Sequence, residues 1–203
     1  MNEVVQKTKP IPKIINSMTD LMTPHYREEK AIAVAATLLH LSGGKGDKYW
    51  LNKLMYYIER QSLVKSGQPL YFDVLCSVPW GPIVSNVNDG IDSAATSAGS
   101  PWAKYFSLEN KTVTLKSAPD YSCLSEFEEI IIRETYEKFR DWDFNRLHTY
   151  FSSLPEYKET KSREDINYSD ILIGEGFAPE DIQEALKEIS YLGFLETVLH
   201  CTH

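Results

Sequence analysis

Apolar residues recur along most of the chain at the three- and four-residue spacing that places them on one face of a helix. In the first such segment they fall at Ile32, Ala35, Ala36 and Leu39. The same spacing returns in four later segments, and glycine or proline follows most of them. The predicted helices cover residues 27–41, 48–66, 125–139, 143–154 and 179–192, with a further short helix near Ser169.

Polar residues and proline mark the starts of three of these helices. Ser125 and Glu128 have the spacing of a capping box, and Asp143 is a typical N-cap residue. Pro179 suits the first turn of the last helix. Gly193 is interpreted as the residue that ends that helix.

Short segments between the helices carry β signals. Residues 106–116 alternate apolar and polar positions around Asn110, which predicts a β-hairpin. Residues 73–77 are predicted to form one more strand, which leads into the segment PWGPIV at residues 79–84. Its two prolines lack a backbone N–H and restrict the residues before them, so we predict a rigid bend that is not a central strand. Residues 86–101 are rich in Ser, Asn, Gly and Asp and are predicted to be a loop with at most one helical turn.

Composition places these elements in one protein class. The 203 residues are 42% hydrophobic and 12% aromatic, which is enough to form a core. The formal net charge of -8 opposes general binding to nucleic acid or to an anionic membrane. No segment reaches the roughly 20 apolar residues of a membrane span, and three widely spaced cysteines do not suggest disulfides. We expect a mainly α, compact helical domain with a small β-hairpin or sheet element, at the margin of the α+β class, in the cytoplasm.

No combination of residues indicates an active site. The segment GGKGDK at residues 43–48 lacks the Ser or Thr of a phosphate-binding loop, and we interpret it as a turn between helices. His148 lies on an otherwise apolar helical face and is either a core or interface histidine or a catalytic base, of which the first is favoured. No histidine or cysteine set has metal-ligand spacing. We therefore expect no catalytic residue, no metal, no cofactor and no enzyme activity.

Residues 168–193 give an alternative functional hypothesis. A short helix, a glycine turn and a second helix resemble part of the helix-turn-helix of DNA-binding transcriptional regulators. Residues 163–203 contain two basic and nine acidic residues, a formal charge of minus seven without histidine. Because this charge repels phosphate, packing of the two helices on the domain is favoured over DNA contact.

Three segments resemble, in order, the signatures of the Panacea domain of the SocA-like antitoxin family. Leu51–Tyr57 (LNKLMYY) is similar to a K-L-L-Y-F-like signature, Gly67–Leu70 (GQPL) to the stretch "tGkPLf", and Trp80–Val84 (WGPIV) to "yGPVv". The helix from Ser125 and the segment Leu147–Thr149 also look like the C-terminal half of the family. The Thr-His pair usual there is reversed here.

The resemblance covers residues 28–160 and leaves an N-terminal arm, 1–27, and a C-terminal helical extension packed on the domain, 161–203. It implies a bacterial or phage antitoxin that neutralises a cognate protein toxin by direct binding. One branch of the family acts as an adaptor that delivers the toxin to a AAA+ protease. The resemblance implies no catalytic residue, and formation of a homo-oligomer stays open. We predict that the toxin-contacting residues are Lys53, Tyr56, Tyr57, Trp80 and Pro82.

Overall fold

The computed structural model describes residues 22–200. This part of the chain contains eight helices and six short strands. Most of the predicted arm, residues 1–21, lies outside these bounds. The helices are α1 (Glu28–Leu41), α2 (Lys48–Ser66), α3 (Ser85–Thr96), α4 (Pro101–Tyr105), α5 (Glu126–Phe139), α6 (Phe144–Ser152), α7 (Tyr168–Gly174) and α8 (Pro179–His200). The strands are β1 (Lys45–Asp47), β2 (Leu75–Val78), β3 (Gly81–Val84), β4 (Phe106–Glu109), β5 (Thr112–Leu115) and β6 (Glu164–Asp165).

The predicted fold class is confirmed, because helices dominate and the strands form two small sheets. Both sheets have three antiparallel strands, in the orders β1-β5-β4 and β3-β2-β6. Strands β4 and β5 are the predicted hairpin, and Asn110 and Lys111 at its turn have φ values of 48° and 68°. Positive φ at both central residues matches the twist of the flanking strands. No helix within residues 22–200 is long and apolar enough to cross a membrane.

Helix α2 is buried on most of its surface and organises the core. Asp47 caps its N-terminus by accepting hydrogen bonds from the backbone N–H groups of Tyr49 and Trp50, and Gly67 ends it in the left-handed conformation. The apolar side of α2 packs with side chains from α1, α5 and α6 in one continuous core. Its buried apolar residues include Leu51, Leu54, Met55, Tyr56, Ile58 and Leu63.

The starts of α5 and α6 are confirmed. Ser125 and Glu128 form the capping box, with each side chain bonded to the backbone of the other residue. The Asp143 side chain accepts a hydrogen bond from the Arg146 backbone N–H at 2.8 Å. These local bonds involve only neighbouring residues, so sequence spacing alone identifies them.

Two local predictions are wrong. Residues 86–101 are mostly helical, because Asp73 from a distant loop accepts hydrogen bonds from the backbone N–H groups of Asn86 and Val87 and so caps α3. Gly193 does not end α8, which continues to His200. A Cβ at Gly193 would lie 2.1 Å from the Met22 carbonyl oxygen, so glycine serves close packing there.

The segment PWGPIV forms the turn and second strand of a β-hairpin. Pro79 and Trp80 connect β2 to β3, and Gly81 has a φ of 95°. Strand β3 lies at the edge of its sheet, which confirms that this segment is not a central strand.

Helices α7 and α8 pack onto the same core. Ile171 and Leu172 of α7 are buried, as are Ile182, Leu186 and Ile189 of α8. The opposite side of the first half of α8 exposes Glu180, Glu184 and Glu188 to solvent. The pair is therefore amphipathic, with an acidic outer surface.

Candidate functional site

The edge of strand β3 is closed by side chains of α2. The Asn52 side-chain amide donates to the Val84 carbonyl at 3.5 Å and accepts from the Val84 N–H at 3.4 Å. The Lys53 ammonium donates to the Pro82 carbonyl at 2.6 Å. Pro82 has no N–H that needs a partner. The two α2 residues thus take the place that a neighbouring strand would occupy, and they fix the hairpin to the core.

Lys53 is a buried lysine that forms no ion pair with a carboxylate of residues 22–200. Its side chain is 1% exposed. The ammonium lies 4.9 Å from the ring centre of Tyr49 and 5.9 Å from that of Phe151, so both rings can interact with the charge. Burial lowers the pKa of Lys53 from 10.5 to about 7. Neither proton state is strongly preferred at neutral pH.

A second polar residue of α2 holds the loop before β2. Both Glu59 carboxylate oxygens accept hydrogen bonds from backbone N–H groups, those of Leu70, Tyr71 and Asp73, at 2.8 to 3.0 Å. Burial raises the pKa of Glu59 to about 7, and these bonds act against the rise. Glu59 therefore shapes the segment that carries Asp73, the residue that caps α3.

The predicted contact residue Tyr56 belongs to a buried network. Its hydroxyl donates to Glu156 at 2.9 Å, and Arg60 donates to the same carboxylate at 2.7 Å. Arg60 also forms an ion pair of 2.6 Å with Glu175 at the end of α7. The network joins α2, the loop after α6, and α7.

Tyr57 lies half-buried at a different place on α2, beside α5 and α6. Its ring is 4.9 Å from that of Phe139, and its hydroxyl accepts a hydrogen bond from Lys138 at 2.8 Å. Lys138 also donates to Tyr150 at 2.9 Å. Tyr57 is therefore separated from Trp80, and it packs between helices rather than beside the hairpin.

Trp80 projects from the hairpin turn and is 60% exposed. Its ring centre lies 6.2 Å from that of Phe144, which is 48% exposed, and 5.8 Å from that of His148. Phe144 also contacts Tyr49, at 4.7 Å between ring centres. We call Tyr49, Trp80 and Phe144 the aromatic patch.

Two tyrosine hydroxyls hold the hairpin turn in place beneath the patch. Tyr49 donates to the Trp80 carbonyl at 3.0 Å, and Tyr157 donates to the Val78 carbonyl at 3.1 Å. The His148 imidazole contacts Ser152 at 3.2 Å and stacks on Phe144. His148 is thus a surface histidine within an aromatic cluster. The exposed Trp80 ring is attached to a backbone that is fixed from both sides.

The aromatic patch forms one wall of a groove with a cavity volume of about 640 Å³. Helix α3 and the β4–β5 hairpin supply the opposite wall, through Asn88, Asp92, Leu108 and Lys111. A second groove of about 460 Å³ lies on the other side of Tyr49 and Phe144 and is lined by Trp50, Tyr136 and Trp142 among others. The two grooves make an extended surface that is rich in aromatic side chains, the residue class that dominates protein interfaces.

The five predicted contact residues therefore lie in three different environments. Trp80 is exposed on the aromatic patch, Pro82 is buried in strand β3 of the same hairpin, and Lys53 lies buried beneath that strand. Tyr56 is buried in the Glu156 network, and Tyr57 packs against α5 and α6. Sequence reasoning did not single out Tyr49 or Phe144 as site residues. Their adjacency to Trp80 is a tertiary contact, which helical spacing cannot show.

Metal binding has no structural support within residues 22–200, where no group of His, Cys, Asp and Glu side chains could hold an ion. Cys76 is buried, and burial raises the pKa of its thiol. The polar side chains of α2 are instead bonded to the backbone of the neighbouring hairpin and loop. The groove beside the aromatic patch combines aromatic side chains with lysine and aspartate side chains.

The fold and the site define a small, mainly α domain with an exposed aromatic groove. The family described as "Antitoxin SocA-like, Panacea domain" matches residues 51–158, more than half of the 203-residue chain. The chain therefore belongs to the SocA-like antitoxin family, and membership supports an antitoxin role. The match includes Trp80 and Phe144 and excludes α8. No curated protein and no solved structure matches the chain.

Proposed function

We propose that this protein is the antitoxin of a bacterial or phage toxin-antitoxin system and that it neutralises its partner toxin by binding it at the aromatic patch. The observation that carries the proposal is the exposed Trp80 ring on a hairpin that two tyrosine hydroxyls and Lys53 hold in place. A rigid aromatic anchor loses little conformational freedom on binding. The protein acts in the cytoplasm and acts by binding, without catalysis.

The predicted contact residues divide into two roles under this proposal. Trp80 contacts the toxin directly, together with Phe144 and Tyr49. Lys53 holds the hairpin from beneath through the Pro82 carbonyl, and Tyr56 stabilises the fold through Glu156. Most residues in the segments that resemble the family signature then build the domain and hold the hairpin in place. Trp80 is the one residue of these segments that contacts the toxin.

A growth assay tests the proposal. The reading frame beside this gene is expressed alone and together with the antitoxin, and we expect growth arrest alone and rescue together. Trp80→Ala combined with Phe144→Ala is expected to abolish rescue, because loss of a central aromatic anchor costs about 2 kcal/mol or more, or at least roughly thirtyfold in affinity.

The control is Phe194→Ala, which removes an aromatic side chain that is 49% exposed on α8, outside the family match. It is expected to leave rescue intact. Rescue by the double variant at normal protein levels would contradict the location of the binding surface. Absence of growth arrest by the neighbouring gene product would remove the main support for the function.

Delivery of the toxin to a AAA+ protease is a distinct version of the same function. It predicts that the toxin half-life shortens when the antitoxin and the protease are both present. An unchanged half-life, with rescue intact, indicates neutralisation by binding alone.

A further inference from the structure

The groove beside the aromatic patch contains a cation that the protein itself does not neutralise. No ion pair within residues 22–200 includes Lys53, whose ammonium has the Pro82 carbonyl as its hydrogen-bond acceptor. An ammonium has three donors, and Lys53 is only 1% exposed. When Lys53 is protonated, its buried charge therefore has no counter-charge in an ion pair within residues 22–200, an arrangement that is unfavourable in isolation.

The rest of the groove lining is also short of negative charge. Lys48, Lys53 and Lys111 line it, together with the two carboxylates Asp47 and Asp92. Asp92 forms an ion pair of 2.6 Å with Lys48, and Asp47 is used to cap α2. Neither Lys53 nor the exposed Lys111 therefore forms an ion pair within residues 22–200, although the whole chain has a formal charge of -8.

We propose that the segment of the toxin bound in this groove is acidic, with a carboxylate facing Lys53 and Lys111 beside an apolar side chain that packs on Trp80 and Phe144. This inference rests on the proposed function and adds the chemistry of the partner. A carboxylate does not have to touch the 1% exposed Lys53, because an opposite charge within roughly 4–6 Å already favours the protonated amine. An uncharged apolar segment would desolvate the ammonium further and would bind less well.

Proton linkage predicts the direction in which the binding affinity changes with pH. The pKa of Lys53 is about 7 in the free protein, and a nearby carboxylate raises it. The complex then binds more protons than the free protein above pH 7, so affinity falls as pH rises from 7 to 9. An uncharged segment that only buries the groove lowers the pKa of Lys53, and affinity then rises with pH.

Several other titratable groups lie near the hairpin. Tyr49 from α2 has its pKa raised to about 12 by burial, and burial also raises the pKa of Tyr157, which follows α6. The His148 imidazole of α6 is a further titratable group that contacts Trp80. Glu156 is paired with Arg60. His148→Gln therefore tests whether imidazole contributes to any pH dependence.

The experiment uses the full chain and two blocked peptides, acetyl-Ala-Trp-Asp-Ala-amide and its Asn counterpart, titrated by amide NMR. We expect the Asp peptide to bind about threefold or more tightly than the Asn peptide at pH 6.5, and the preference to shrink by pH 9. Lys53→Met is expected to remove the preference. Lys111→Gln, an exposed substitution that leaves the core intact, is expected to reduce it. The ratio of the two affinities is expected to be unchanged in His148→Gln.

Several outcomes would overturn the proposal: equal binding of the two peptides, no binding of either at millimolar concentration, or a preference that survives in Lys53→Met. Tighter binding of a deoxythymidine oligonucleotide than of the Asp peptide would assign the groove to phosphate instead. The proposed function fails separately. Intact rescue by the Trp80 and Phe144 double variant would refute the site of toxin binding even where the Asp peptide is preferred.

Discussion

Replacing Lys53 by methionine is expected to make this protein more stable below pH 7. Methionine has a similar length and flexibility, so it can fill the same space beneath the hairpin. It has no charge to desolvate. The expected gain follows from the burial of the native ammonium, whose side chain is 1% exposed.

The magnitude follows from the pKa of Lys53. Burial lowers it from 10.5 to about 7, and each pKa unit corresponds to about 1.4 kcal/mol, so the charged form is disfavoured by roughly 5 kcal/mol in the folded state. Loss of the charge-assisted bond to the Pro82 carbonyl removes roughly 1.5–3 kcal/mol. The net gain for Lys53→Met is therefore roughly 2–3 kcal/mol at pH 6.

The pH dependence of this gain tests the reasoning more specifically than its size at one pH. Between pH 7 and 10.5 the unfolded chain binds more protons at Lys53 than the folded protein does, so the stability of the native protein rises with pH in this window. The advantage of methionine is full below pH 7 and falls by roughly 3 kcal/mol at pH 9. The gain at pH 9 is then close to zero.

Urea unfolding of both proteins at pH 6 and pH 9 measures this difference. Lys65→Met is the matched control, because Lys65 lies on the same helix in an exposed ion pair with Glu134. Its effect on the free energy of unfolding is expected to stay within about 0.5 kcal/mol at both pH values. A Lys53→Met effect that is the same at pH 6 and pH 9 would refute the reasoning.

Three further substitutions test other parts of the structure. Glu156→Ala leaves Arg60 buried beside an empty position and is expected to lower the free energy of unfolding by about 3–5 kcal/mol in urea titrations; a loss below about 1 kcal/mol would contradict the buried network. Gly90→Ala places a Cβ 2.3 Å from Trp102 Nε1 and is expected to cost about 1–3 kcal/mol, measured as a lower Tm. Trp80→Ala removes an exposed ring and is expected to change stability by less than about 0.5 kcal/mol, so a large fall in Tm would show that the ring supports the fold.

The sequence predicted those elements whose stabilising contacts are local. The capping box of Ser125 and Glu128 and the hairpin turn at Asn110 each depend on residues a few positions apart. Helix α3 was missed because Ser85–Thr96 is rich in polar residues, and only Val87 and Ile91 supply buried apolar side chains. Its N-terminal amides are capped by Asp73, which is remote in sequence.

The candidate site also depends on contacts between residues that are remote in sequence. The unusual composition around Trp80 drew attention to the hairpin, but nothing in the spacing of residues distinguishes Lys53 from a solvated lysine on α2. Only the structure shows that its ammonium bonds to Pro82 and that Phe144 stands beside Trp80. Polar residues at helical positions normally face solvent, and α2 departs from that rule because it supplies hydrogen bonds to a strand edge.

Stability and recognition are expected to change in opposite directions when Lys53 is replaced. A purely structural lysine that holds the hairpin through Pro82 would, on substitution by methionine, give a protein that is both less stable and less able to bind. A lysine retained for an acidic partner gives a protein that is more stable at pH 6 and has lost its preference for the Asp peptide. Measuring both quantities on the same Lys53→Met preparation separates the two roles. A loss of stability together with an unchanged Asp preference would show that Lys53 supports the fold and does not select an acidic partner.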